Sequence, residues 1–156
     1  MAMIRLTQDF KEFLQLLDSE KIEYLLIGGY ALGLHGYVRA TKDMDVWVAM
    51  EPGNLDRLID ALVKFGLPRS SLTREMFTGA QTVFRMGIPP NRIEVLTRIS
   101  GVEFRDCYAK RQLIDCQGLA VSVIAYEDLK KNKLSTGRVR DVGDIEAIEK
   151  SRNRRK

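Results

Sequence analysis

Two aspartates at alternate positions of an apolar run, Asp43-Met44-Asp45-Val46-Trp47-Val48, constrain this chain more than any other stretch. A short run rich in β-branched and aromatic residues predicts a buried strand. Successive side chains on a strand point to opposite faces, so Asp43 and Asp45 share one face while Met44 enters the core. Two carboxylates in one small volume each disfavour the other's ionisation. A hard divalent cation removes that repulsion, and Mg2+ favours one or two protein carboxylates together with waters and phosphates. The pattern predicts a metal-phosphate site at the end of a strand.

Upstream, Glu23 to Ile27 predicts the first core strand, which runs into Gly28-Gly29 and a short helical segment beginning Tyr30-Ala31-Leu32 and ending near Gly36. Glycines at such a junction let the backbone turn sharply and approach a ligand, and the following helix start favours anions. A glycine pair alone also serves simply to end a strand. Its weight comes from the combination with the basic turn Arg39, Thr41 and Lys42 and with the two aspartates, which puts phosphate donors beside metal ligands.

Strand, Gly-Gly, short helix, basic turn and Asp-x-Asp together resemble the nucleotidyltransferase-fold superfamily, whose signature is Gly-Gly or Gly-Ser, a spacer, and Asp-x-Asp or Asp-x-Glu. The chain looks more closely like the small bacterial minimal nucleotidyltransferases and the AbiEii-type toxin nucleotidyltransferases. The resemblance runs from about Tyr24 to the Asp141–Asp144 region and departs at Tyr30, where many active members carry Ser or Thr. It implies an α/β (α+β) fold with a small mixed sheet flanked by helices. It also implies a third acid on a strand beside the aspartates, matched here by Glu94, where many relatives use Asp. In the Lys…Gly-Arg…Asp…Asp segment of the same family, which the run from Lys130 to Asp144 resembles, Lys133, Arg138 and Asp141 are the matching positions.

By this resemblance Asp43, Asp45 and Glu94 are the catalytic metal ligands, and the cofactor is Mg2+ or Mn2+. Gly28, Gly29, Tyr30, Arg39, Thr41, Lys42, Lys133, Arg138 and Asp141 form the nucleotide site. The implied partners are an NTP, an acceptor hydroxyl on RNA (tRNA included), a protein or a small molecule, and an antitoxin. The alternative is a nucleotide-binding or interaction module without turnover. Tyr30 and Glu94 favour that alternative; the intact Asp43-x-Asp45 favours the enzyme.

The remaining chain predicts scaffold. Phe10, Phe13, Leu14 and Leu17 lie at helical spacing after Thr7, and Leu55, Leu58, Ile59, Leu62 and Val63 follow the stripe of a buried helix that Asn54 is placed to cap and Gly66 to stop. Pro68 to Gly79 reads as a mobile loop, the expected source of the acceptor pocket, with Arg69 and Arg74 in reach of substrate. Gln81–Met86 and Arg92–Thr97 predict two strands, Gly101–Arg111 a helix turning Phe104, Tyr108 and Leu113 to the core, and Leu119–Ile124 a final strand at a sheet edge. A helix over Tyr126–Leu134 and a closing helix from about Asp141, with Val142, Ile145 and Ile148 inward, complete the chain. Glu94 within Ile93-Glu94-Val95-Leu96 is costly if buried unpaired, although an exposed strand face accounts for it equally well. His35, the only histidine, serves either as a base or as a packed residue at a helix end.

At 156 residues the chain suits one domain, assigned to residues 1–150 with a frayed basic tail over 151–156. Hydrophobic residues at 45% and charged residues at 29% describe an ordinary globular composition, and the formal charge of +4 is mild, with much of the excess in that tail. No apolar stretch approaches the ~20 residues of a membrane span and no signal-peptide core is present, so the cytoplasm is the expected location. Cys107 and Cys116 lack metal-ligand spacing and are expected to be reduced thiols.

Overall fold

The computed structural model describes residues 5–79 and 83–154. Helix α1 (Gln8–Ser19) begins at Thr7, whose hydroxyl accepts the Phe10 N–H at 3.2 Å, and its predicted apolar stripe is wholly buried. Strand β1 (Tyr24–Ile27) is buried along its whole length, and helix α2 (Gly28–Leu34) follows directly. Strand β2 (Asp43–Val48) alternates as expected, with Met44 and Val46 in the core and the aspartates partly exposed. Helix α3 (Pro52–Phe65) ends at Gly66, where φ is +122°, a conformation open to glycine and strained for other residues. A 3-10 turn (Arg69–Ser71) and α4 (Glu75–Thr78) lead to β3 (Val83–Met86) and β4 (Arg92–Leu96). Helix α5 (Phe104–Ala109), β5 (Gln112–Cys116), β6 (Leu119–Val123), α6 (Tyr126–Ser135) and α7 (Val139–Arg154) complete the order.

The six strands form one mixed sheet in the order β3-β4-β2-β1-β6-β5. Strands β2 and β4 run parallel, as do β1 and β6, while the β1–β2, β3–β4 and β5–β6 pairs are antiparallel. Helix α1 packs on α3, and α2 packs against β1, β2 and α6. The fold class read from the sequence is the one observed. No helix among the described residues is long and apolar enough to cross a membrane.

Several expectations are corrected. Strand β5 was not foreseen: Gln117 (φ 55°) and Gly118 (φ 85°) form a two-residue hairpin loop between β5 and β6, so β6 is interior and β5 is the edge. Leu113, expected in the core, lies on that edge strand and is 69% exposed. Asn54 does not cap α3. Its side chain is buried, accepts the Glu23 N–H (2.8 Å) and donates to the Glu23 (3.1 Å) and Ala49 (2.8 Å) carbonyls, tying β1 to the end of β2. The Pro68–Gly79 segment carries two short helical turns and is anchored by buried Phe77, while Arg69 and Arg74 pair with Asp60 and Asp56 of α3.

At the C-terminus, residues 151–154 continue α7, with the Arg152 guanidinium 3.6 Å from the Tyr126 ring centre, so that part of the tail is helical rather than frayed. Arg155 and Lys156 lie outside the described residues, as do Gln81 and Thr82 of the third expected strand.

Candidate active site

Parity and register bring the acids together. Asp43 and Asp45 stand on one face of β2, and the parallel β2–β4 pairing sets Asp43 opposite Arg92 and Asp45 opposite Glu94. Ile93 and Val95 point the other way into the core. Three carboxylates therefore gather at one end of two central strands.

Their surroundings differ. Arg92 grips Asp43 with both arms of its guanidinium (Nε–Oδ1 2.7 Å, Nη2–Oδ2 3.0 Å) and lies 3.4 Å from Glu94 Oε1. Arg85 of β3 donates to the same Glu94 oxygen at 3.0 Å. Asp45 has no such partner: its Oδ1 is buried without a hydrogen bond. Burial first, then the charges of Glu94 and Asp43, raise its carboxyl pKa to about 7. An anion held at that cost calls for a cation, and a set of carboxylate oxygens is the donor chemistry that Mg2+ or Mn2+ takes.

The glycine pair sits against these acids. Gly28, with φ +69°, adopts a left-handed conformation at the β1–α2 junction, and a Cβ built on it would stand 2.3 Å from Asp45 Oδ2. A Cβ on Gly29 would meet Thr41 Oγ1 at 2.7 Å. The two glycines thus let the backbone pass directly beside the second aspartate and the basic turn.

A second polar cluster faces the first across the cleft. Lys133 of α6, 5% exposed, donates to Asp144 (3.0 Å) and Asp141 (3.3 Å) of α7. Arg39 clasps the same Asp144 bidentately at 2.8 Å for each bond, and Thr136 and Arg138 each donate to Asp141 at 2.7 Å. Burial pushes both carboxyls up, but the bonds from Thr136, Arg138 and Lys133 to Asp141, and from Arg39 and Lys133 to Asp144, outweigh it and hold both below the ordinary value. This cluster fastens the basic turn after α2 to the two closing helices.

Between the clusters lies a cleft of about 740 Å³. Its walls bring together Gly28, Gly29, Arg39, Thr41, Lys42, Asp43, Asp45, Glu94, Lys133, Arg138 and Asp141, the site residues expected from sequence with one exception. Tyr30 is not among the lining residues. It is 7% exposed, meets the Phe10 ring edge-on at 5.3 Å, and its hydroxyl pKa is raised by burial, so it packs in the core instead of facing phosphate. His35 likewise packs: its Nε2–H donates to the Ile124 carbonyl (2.7 Å), its ring meets Tyr126, and burial lowers its pKa.

Sequence reasoning missed Arg85, Arg98 and Arg140 on the walls, Asp144 behind Lys133, and Arg92 between the acids. Arg92 alone had a readable signal, since it shares the strand face of Glu94 two residues on. Among the described residues, seven basic side chains against four acids line the cleft, a surplus suited to a polyanionic ligand. None of Pro68–Gly79, the segment expected to build the acceptor pocket, lines this cleft.

Comparison with curated proteins gives no match. Among solved structures, a Thermotoga maritima protein titled a "putative nucleotidyltransferase" is similar in fold, with a TM-score of 0.56 and 15% sequence identity over 92% of this chain and 90% of that one. A family profile described as "Nucleotidyltransferase of unknown function (DUF6036)" matches residues 2–151, nearly the whole chain. With its three acids on β2 and β4, its glycine junction and that match, the chain belongs to this nucleotidyltransferase family.

Proposed function

We propose that the protein transfers a nucleoside monophosphate from an NTP to an acceptor hydroxyl, the hydroxyl losing its proton as it bonds to the α-phosphorus and pyrophosphate leaving as the α–β bond breaks, using Mg2+ or Mn2+ held by Asp43, Asp45 and Glu94. The observation that carries this reading is Asp45, a buried carboxylate oxygen without a partner, flanked by two further acids and pressed against Gly28. Asp43, Asp45 and Glu94 would hold the divalent ion, which would supply Lewis-acid charge beside the attacking hydroxyl and offset the charge of the phosphates.

The protein's own groups do the positioning. Gly28 and Gly29 carry no side chain of their own, which lets Asp45 and Thr41 pack against their backbone at the cleft, and Lys42 and Arg138 add positive charge to the cleft wall. Arg39 and Lys133 reach the cleft already oriented by Asp144, so little reordering accompanies nucleotide binding. The acceptor is an RNA 3′ end, a protein or a small molecule, and we retain an antitoxin as a proposed partner from the resemblance to AbiEii-type proteins.

One observation favours the second reading, a nucleotide-binding module without turnover: Arg92 already neutralises Asp43. The full chain incubated with Mg2+ or Mn2+, each labelled NTP in turn, and total RNA or its own protein separates the two. Label transfer that disappears in a folded Asp45→Asn variant supports the enzyme. Nucleotide binding without transfer to any of these acceptors supports the module.

A further inference from the structure

Arg92 and Glu94 are two residues apart on β4 and so share a face, and the register places Arg92 directly opposite Asp43. A planar guanidinium matches a carboxylate as a fork, and Arg92 uses that match in full: both Asp43 oxygens receive a bond, and the same group reaches Glu94. Those are the oxygens a divalent ion requires. Asp45, which Arg92 does not reach, keeps its unpartnered oxygen. Among the described residues, no three acid, histidine or cysteine side chains are grouped so as to hold an ion as they stand.

We propose that Arg92 is a built-in counter-cation of the acid triad, which a divalent ion must displace from Asp43 and Glu94, so that Arg92 sets how tightly the free protein binds metal and makes loading depend on NTP. The inference rests on the metal reading above. An NTP favours the exchange twice, because its phosphates add oxygen ligands for the ion and offer the released guanidinium another anion. Without nucleotide, the ion must compete with a fixed positive charge for the same lone pairs. Arg85 is the internal comparison, since it also pairs with Glu94 but makes no bond to Asp43.

The test is Mn2+ titration of the full chain, followed by electron paramagnetic resonance, with and without a non-hydrolysable NTP analogue. Arg92→Gln should bind Mn2+ about tenfold more tightly than the parent protein in the absence of analogue, a gap that narrows when analogue is present. Arg85→Gln removes the same unit of charge and should change affinity less than about threefold. Arg92→Lys keeps the charge without the fork, should fall between parent and Arg92→Gln, and serves should the latter not fold. Equal Mn2+ affinity in parent and both Arg92 variants overturns the proposal, and equal gains for Arg92→Gln and Arg85→Gln reduce it to net charge and overturn it as well. No Mn2+ binding by any form, with analogue present or absent, overturns the metal reading and this inference with it.

Discussion

Asp45 is the residue at which the electrostatics of the site are most exposed to experiment. Its carboxyl pKa, about 7 in the folded chain, stands above the ordinary 3.8 because of burial and then the charges of Glu94 and Asp43. A raised carboxyl pKa means that the folded protein holds a proton that the unfolded chain has released. Between pH of about 4 and 7 this group therefore lowers stability as pH rises. Asp45→Asn removes the effect, so its stability advantage over the parent protein should widen between pH of about 4 and 8, on the order of 1–3 kcal/mol. Thermal unfolding of both proteins across that range checks it, and a difference independent of pH would contradict the raised pKa. His35, whose pKa burial lowers, is present in both proteins, so its contribution cancels in the difference.

At the scale of elements, the closing helices are held to the sheet by charge as well as by Ile145 and Ile148. Lys133 is the cation shared by Asp141 and Asp144, both under a tenth exposed. Removing Lys133 takes away the cation the two acids share and leaves Asp144 to Arg39 and Asp141 to Thr136 and Arg138, so part of each carboxylate's compensation remains. Lys133→Met should lower stability at neutral pH by roughly 1.5–3 kcal/mol in urea unfolding, although the two side chains are similar in length. A loss below about 1 kcal/mol would mean that Arg39, Thr136 and Arg138 suffice. The sign of the pH dependence is opposite to that of Asp45. Carboxyls held below their ordinary value of 3.8 contribute stability that is present above that value and lost as pH falls through their lower folded values. Acid unfolding of the parent protein should therefore draw on Asp141 and Asp144 below the window in which Asp45 acts.

For the whole molecule, the cleft draws on β1, β2, β3, β4, the basic turn and both closing helices, so a ligand there bridges that part of the sheet and the C-terminal helices. A ligand that binds the folded state alone stabilises it by about 2.7 kcal/mol at a hundredfold excess over Kd. For a domain of this size that is a rise in melting temperature of roughly 5–10 °C. NTP with Mg2+ should give such a rise, Mg2+ alone much less, and the absence of any shift with all four NTPs would remove the nucleotide from the cleft.

What the sequence determined by itself is local and periodic. Alternation placed Asp43 and Asp45 on one face and Met44 in the core, helical spacing placed the stripes of α1 and α3, and the strand-Gly-Gly-helix order placed the glycines at the turn out of β1. Each follows from the geometry of a single element, in which neighbours a few residues apart must share or oppose a face. Tertiary structure decided what depends on partners distant in the chain. The pairing of β2 with β4 brought Glu94 to Asp45 across 49 residues, and nothing within either strand states that register. Tyr30 turned inward because Phe10 of α1 covers it, and Asn54 left the helix end for the backbone of Glu23 and Ala49. Leu113 looked like core by composition but lies on an edge strand, where only the Gln117-Gly118 turn marked the hairpin. Arg92 is the sharpest case: its charge is plain in the sequence, but only the parallel register opposite Asp43 makes it a counter-ion of the acid triad.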